Sequence, residues 1–456
     1  MRLSRLACGS AIILCACSSS SYEENFENGN LQSQGSVKKH DDGSFSMTGP
    51  WQFWYENGKT KAEGSFLDAR PQRERSNLGV PKNTKTAIRS FGKNDDGAAA
   101  DTTGVDGVPL EGRHGAWTFW YDNGQKLSEG SFLKGKPEGF MQNWFASGKK
   151  MSEGNYKDGR PNGEWTAWHE NEQVASKGVY VSGQQDGLWK YWYPNGKKSI
   201  EGRSQKGVKH GLASFWYDNG QKKEERNYLN GEKAGTWVLW HSNGKKSGEQ
   251  PYQDGVKHGL SQTWHDSGEL SAKGAYVNGL REGAWTFWYS NGNKSLSGAF
   301  LKDQQTGVWI AYHENGQKKE EGGAKADKRH GKVSIWYANG KLKEQGKYNE
   351  GEREGLWTTW HPNSRKASVS EFQNGQRFGK QTEWYDDGQR SKQGLMRNGD
   401  WVGEWRWWHR NGELLAKGIY VNDKAKELEC WKPTGEVLGT LQDDENGVRC
   451  AALLTP

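Results

Sequence analysis

Histidine, cysteine and tryptophan are the residues through which this sequence could do chemistry, and their spacing decides which kind. Eleven histidines could in principle build a metal centre or a general base. Six of them, His169, His241, His265, His313, His361 and His409, occupy a recurring slot that Tyr121, Tyr193 and Tyr289 fill elsewhere, and His114, His210, His258 and His330 each precede a regularly spaced glycine. A residue that exchanges with tyrosine belongs to an aromatic ladder, not to a metal site or a pH sensor. No nucleophile has a convincing His/Asp arrangement, and no glycine-rich phosphate loop occurs. Recurrent carboxylates such as Glu153 and Glu201 are read as partners of surface lysines. These patterns describe a chain that is not an enzyme and needs neither metal nor cofactor.

The cysteines report on address. Arg2 and Arg5 precede a short apolar run, Leu6 to Ala16, too short to span a bilayer as a helix. Leu14-Cys15-Ala16-Cys17 resembles a bacterial lipobox, which implies cleavage before Cys17 and acylation of that residue; an ordinary secretory signal cut nearby is the alternative. Ser18 after the cysteine resembles outer-membrane sorting in a two-membrane bacterium. Acyl chains on one residue anchor firmly because each buried methylene adds roughly 0.8 kcal/mol. Cys430 and Cys450 are then the remaining pair, in a compartment where thiols oxidise. A disulfide closing the terminal segment is expected, and a metal pair is not, since neither has a Cys or His at ligand spacing.

Tryptophan is the third candidate. The most regular row in the chain is Trp120, Trp144, Trp168, Trp192, Trp216, Trp240, Trp264, Trp288, Trp336, Trp360, Trp384 and Trp408, with Tyr312 in the remaining place. Such a row either packs on lysine stems or forms an exposed track for an extended ligand such as a glycan.

The elements that must position these rows follow from a strict period. Glycine recurs every 24 residues from Gly115 to Gly403, so one structural unit is stacked thirteen times. A related unit begins at Gly49. Each unit holds two turn signals, Asn123-Gly124 and Lys134-Gly135 in the first, separated by runs of strand length. Asn-Gly predicts a type I′ hairpin turn, and two antiparallel strands per unit make a meander. A two-residue turn at 123–124 pairs Trp117 with Gly130 and Gly115 with Phe132. A second turn at Gly135-Lys136 places Phe132 opposite Gly139 and Gly130 opposite Met141. Large aromatics thus cover cross-strand glycines. Period-two alternation puts Trp117, Phe119 and Phe132 on one face and the Trp120 row on the other, among small and charged neighbours.

The pattern W..WY.NGKK..EG.Y.NGK.HG.W resembles the MORN repeat, and more closely its bacterial variant in YwqK-type antitoxin proteins. The resemblance covers Gly49–Pro71 and Gly115 to Asp423, and implies arrays of β-hairpins that serve as interaction scaffolds without enzymatic activity.

Composition agrees. The chain has 456 residues, only 32% hydrophobic, yet 62 Gly and 25 Trp, 17 Tyr and 14 Phe; disordered chains are poor in aromatics, and a large enzyme core is excluded. The net charge of +7 loses Arg2 and Arg5 with the signal, and nothing demands a nucleic-acid partner. The expected map is a lipoprotein signal peptide at 1–16, a polar tether at 17–48, a first unit at 49–71 and a flexible insertion at 72–113. Thirteen repeats follow at 114–426, and a degenerate cap with the disulfide at 427–456. The expected fold class is all-β, an elongated array of antiparallel hairpins in one extended or curled meander. The expected function is a scaffold anchored in the cell envelope, in the outer membrane, that binds a protein partner; an envelope-glycan binder using the Trp row and an antitoxin or immunity protein are the alternatives.

Overall fold

A computed structural model describes residues 12–14, 20–41, 43–69, 108–110 and 112–440. Cys17 and Cys450 lie outside these residues, as do the signal segment apart from 12–14 and nearly all of the insertion. The described residues form antiparallel strands and no helix. They fall in two units, one ending at Glu232 and the next beginning at Lys233. Within each unit, successive strands are antiparallel partners in sequence order, as Arg113–Trp120, Lys126–Leu133, Lys136–Trp144 and Lys150–Lys157 show.

The turn type expected at Asn-Gly is corrected. At Asn123-Gly124, the Gly124 N–H donates to the Tyr121 carbonyl (2.9 Å) and the Tyr121 N–H to the Gln125 carbonyl (2.8 Å). Only Gly124 is left-handed (φ 87°); Asn123 is not. This is a three-residue loop made of a type I turn and a glycine bulge, not a type I′ turn. Asn123 Oδ1 accepts the Gln125 N–H at 2.9 Å, the local bond that asparagine offers in this turn. The type I′ turn lies at Lys134-Gly135, where φ is 49° and 82° and Leu133 faces Lys136.

The register nevertheless holds over most of the first hairpin. The three-residue loop adds one residue, and an irregularity between Phe119 and Trp120 absorbs it, so Trp117 faces Gly130 and Gly115 faces Phe132 as expected. The second hairpin needs a correction. Phe132 faces Pro137, not Gly139, and the register shifts before Gly130 meets Met141. The shift accompanies the period-marking glycine: Gly139 is left-handed (φ 79°), and a side chain built there would touch nothing within 4 Å. It is kept for its backbone, whereas the glycine in the Gly130 slot is kept for space. A Cβ on Gly178 would lie 2.2 Å from the Trp189 indole, and one on Gly346 2.2 Å from that of Trp357.

Those indoles and their neighbours form the core. Trp117 (1% exposed), Phe119 and Phe132 are buried, as are Trp285, Trp309, Trp357 and Trp405 farther along. The rings pack edge to face, for example Tyr276 with Trp285 at 5.2 Å and 87°.

The tether is also corrected. Ser20–Asn25 and Leu31–Lys39 are strands that pair with each other and then with Phe45–Trp54. Tyr22 packs on Trp51 at 5.7 Å, and Trp51 lies over Gly35 as its counterparts lie over theirs. This is a degenerate repeat whose loop is Asn28-Gly29. Asn28 precedes Asn57 by 29 residues rather than 24, and the excess sits in the turn from His40 to Ser44, which hid the period.

The insertion does not break the array. Strand Thr60–Ala69 pairs directly with Arg113–Trp120. At its C-terminal end Val108 is buried, and Arg113, only 2% exposed, donates to the carbonyls of Pro109 (2.8 Å) and Val108 (3.0 Å). The same guanidinium lies against Trp117, Phe119 and Phe132. Burial lowers its pKa to about 10, leaving it charged at neutral pH. In the cap, Cys430 is fully buried and disulfide-bonded.

Candidate interaction surfaces

The Trp120 row lies on the face opposite the aromatic core, and it is not an open track. Trp120, Trp144, Trp168, Trp192, Trp216, Trp240, Trp264, Trp288, Trp336, Trp360, Trp384 and Trp408 are all half-buried. A lysine of the preceding repeat caps several of them: Lys126 Nζ lies 5.0 Å from the Trp144 ring, Lys150 5.2 Å from Trp168, and Lys246 5.5 Å from Trp264. Each lysine is in turn held by a glutamate three residues on, Lys126 by Glu129 (2.6 Å) and Lys150 by Glu153 (2.8 Å). Hydrogen bonds from Lys150 and Lys198 hold the Glu153 and Glu201 carboxyls below the usual glutamate range. The carboxylates singled out in the sequence therefore fix lysines over indoles. A cation on a ring face contributes about 0.5–1 kcal/mol at exposed sites.

The histidine–tyrosine exchange has a specific cause. Tyr121 Oη donates to the Trp144 carbonyl (2.9 Å), Tyr289 Oη to the Tyr312 carbonyl (2.8 Å), and Tyr385 Oη to that of Trp408 (2.9 Å). His169 Nε2 reaches the Trp192 carbonyl at 2.8 Å, His265 that of Trp288 at 2.9 Å, and His361 that of Trp384 at 2.8 Å. His241, His313 and His409 make the same bond. The slot requires a flat ring with one hydrogen at its tip, which phenol and the Nε2–H imidazole both supply. Beside it runs a second stitch: Asn123, Asn195, Asn291 and Asn315 each donate Nδ2–H to a carbonyl of the next repeat's loop. Six histidines are thus committed to structure.

His40, the one histidine outside both slots, meets Ser46 and Asp68. Ser46 Oγ donates to Asp68 Oδ1 (2.5 Å), His40 Nε2 lies 2.9 Å from Ser46 Oγ and 3.4 Å from Asp68. The three residue types suggest a nucleophile, but the arrangement does not make one. Carboxylate and hydroxyl meet the same imidazole nitrogen, the serine proton already points to Asp68, and Ser46 is 1% exposed. The trio fastens the ends of two strands, and the Ser46 bond holds the Asp68 carboxyl below its usual range. Among the described residues no group of three or more His, Cys, Asp or Glu could hold a metal ion.

What the sequence reading missed is a set of exposed aliphatic side chains on the polar face, in the slot before the second turn, which seven repeats fill with Leu or Val and the others with Lys, Gln, Asn or Arg. Leu67, Leu133, Val181 and Leu229 in the first unit, and Val277, Leu301 and Val421 in the second, are 43–58% exposed. Phe140 and Leu212, and in the second unit Leu260, Val308 and Leu356, are exposed on the same face. The signal was in the sequence, since this slot directly follows the Phe132 slot.

These features define a class, a tandem array of hairpins in which each repeat completes the next. The chain carries MORN-variant repeats: the family model described as MORN repeat variant matches residues 47–68, 113–134, 161–182, 185–204, 209–230, 305–323, 329–350 and 401–422. No curated protein matches the chain significantly. Crystal structures titled TcdB2-TccC3-Cdc42, TcdB2-TccC3, and TcdB2-TccC3 without hypervariable C-terminal region align at 8%, 9% and 9% identity, with TM-scores of 0.14, 0.15 and 0.15. The alignments cover 92%, 92% and 95% of this chain but 26%, 27% and 24% of those chains. The chain spans about a quarter of their length, and a likeness this slight carries no argument about function.

Proposed function

We propose that this protein is a non-enzymatic scaffold, anchored by lipid on Cys17 in the cell envelope, that binds a protein partner along its polar face. The carrying observation is the column of exposed Leu and Val side chains before the type I′ turns. Seven repeats place such a side chain in this slot, and neighbouring repeats lie about two strand spacings, roughly 9.6 Å, apart. Ordered apolar groups on an otherwise charged face mark a contact surface, and weak contacts repeated along one partner add through effective concentration. No observation favours the glycan or antitoxin readings over this one, and several members of the Trp row that a glycan would need lie under lysines.

The test is photo-crosslinking in intact envelopes from positions Leu229 and Leu301, with Asn219 and Asn291 in the opposite loops as controls. Discrete adducts from the aliphatic column and none from the loops support the scaffold; the reverse pattern refutes this surface. The anchor is tested separately: Cys17→Ala should abolish fatty-acid labelling and release the protein from membranes. The Cys430–Cys450 pairing is excluded if both thiols are alkylated in non-reduced, denatured protein.

A further inference from the structure

On the core face of the second unit, the edge-to-face chain of rings is interrupted at Ser261, at Ala324 with Val333, and at Gln381 with Met396, and the middle interruption leaves a hollow. It runs Tyr276–Trp285–Phe300–Trp309 at centroid distances of 5.2, 6.1 and 5.0 Å, and resumes as Tyr348–Trp357–Phe372 at 5.0 and 6.1 Å. Two rings are missing between Trp309 and Tyr348, because Ala324 stands in the Phe132 slot and Val333 in the Trp117 slot. The sheet has not closed the gap. A hollow of about 230 Å³ remains there, lined by apolar Trp309, Tyr348 and Val333 and by polar Gln305, Glu320 and Asp327.

One further detail shows that the seat for a ring is intact. Gly322 is retained opposite Val333, although only the valine side chain approaches it (3.1 Å to Cγ2), whereas Gly298 and Gly346 lie directly beneath Trp309 and Trp357. Trp309, 8% exposed, has an Nε1–H with no acceptor, as does Trp357 in the filled part of the chain, while the equivalent Trp285 and Trp405 donate to backbone carbonyls. At the rim, Arg329 donates to Tyr348 Oη (3.0 Å) and pairs with Glu320 (2.9 Å), so its charge is already matched and the site does not call for an anion.

We infer that this hollow binds one neutral, flat aromatic ring system of indole size, seated over Gly322 between Trp309 and Tyr348. An apolar cavity of about 150 Å³ accommodates benzene, so about 230 Å³ leaves room for a fused bicyclic ring. A ring placed there meets the Trp309 and Tyr348 rings in the geometry that aromatic pairs prefer. The inference uses the face opposite the proposed docking column and stands whether or not that column binds a partner.

The probe is 5-fluoroindole, followed by fluorine NMR with the full chain, with N-acetyltryptophanamide as competitor. Saturable binding in the micromolar to low millimolar range is expected. Displacement by N-acetyltryptophanamide at equal or lower concentration identifies a protein side chain as the source of the ring, and failure to displace identifies a free small molecule. The double variant Ala324→Tyr with Val333→Trp restores the repeat's usual rings, and should fold with a raised melting temperature and bind at least tenfold more weakly. If that variant does not fold, Ala324→Phe alone must weaken binding at least threefold. No saturable binding by the native chain, or undiminished binding by a folded filled variant, overturns the inference.

Discussion

Replacing Gly346 by alanine tests the central packing claim, that an indole lies flat on a glycine of the preceding strand. The added Cβ would sit 2.2 Å from Trp357 Cδ2 and 2.3 Å from Cε2, against about 3.5–4.0 Å for carbon atoms in contact. The ring must therefore retreat by more than about 1 Å. It has nowhere to go: Trp357 is 1% exposed and is held edge-on by Tyr348 and Phe372. Overpacking costs about 1–3 kcal/mol, and expulsion of the ring sets a ceiling of about 3–5 kcal/mol, the usual cost of deleting a core aromatic. A loss of about 2–4 kcal/mol is expected. Gly355→Ala is the control, because Gly355 is left-handed (φ 66°) with nothing within 4 Å and exposes only the backbone cost, about 1–2 kcal/mol. Repeat arrays open locally, so the assay is hydrogen exchange over Leu342–Asn349 and Glu352–Trp360, beside thermal unfolding. Combining Gly346→Ala with Trp357→Val recreates the Gly322–Val333 spacing closely enough to relieve the clash, and a coupling of about 1–3 kcal/mol should appear in the cycle. The reasoning is refuted if Gly346→Ala is no worse than Gly355→Ala, or if its cost is undiminished when Trp357→Val is already present.

Tyr289→Phe should cost about 1 kcal/mol, one buried-edge hydrogen bond, and Tyr289→His close to nothing, measured by exchange at the Tyr312 strand. Asn291→Ala removes both the bond to Glu314 O (2.9 Å) and that from Asn293 N–H (3.0 Å), and should speed exchange in both loops without changing the global melt by more than a few degrees. Arg113→Met leaves the Val108 and Pro109 carbonyls unpaired and should cost about 2–3 kcal/mol, with new proteolytic cleavage near residue 110. For pH, Glu153 and Glu201 have folded pKa values below their ordinary ones, so their contribution is present above the usual glutamate range and lost as pH falls through the folded values. The melting temperature should be flat from about pH 8 to 6 and fall below about pH 4.5. The fall should be slightly shallower in Glu153→Gln with Glu201→Gln, since surface pairs contribute little.

The period, the two strands per repeat and the pairing of Trp117 with Gly130 were legible because each rests on a constraint that acts within a few residues. The turn types were not. Asn-Gly suits a type I′ turn and also a type I turn closed by a glycine bulge. The asparagine also serves an acceptor in the next repeat, 23 residues on in the case of Asn123 and Ala146, that a dipeptide cannot reveal. The error left the pairing intact only because the longer loop and the bulge cancel. The unit at 20–54 was lost for the opposite reason, a period stretched by five residues in a turn, although Tyr22, Gly35 and Trp51 carry its packing.

The rows themselves carry the larger lesson about function. A slot shared by Tyr and His, and a Trp in nearly every repeat, are regular because each side chain completes a bond or a cap with the adjoining repeat: Tyr121 with the Trp144 carbonyl, Lys126 with the Trp144 ring. Regularity of that kind measures what the array needs in order to stack. Binding is to be sought where apolar side chains stand exposed without a structural partner, as with the Leu and Val before several of the second turns, or where the period lapses and the fold keeps the space, as at Ala324 and Val333 above Gly322. At both places the chain leaves apolar surface that its own packing does not consume, which is the condition for another molecule to supply the missing contact.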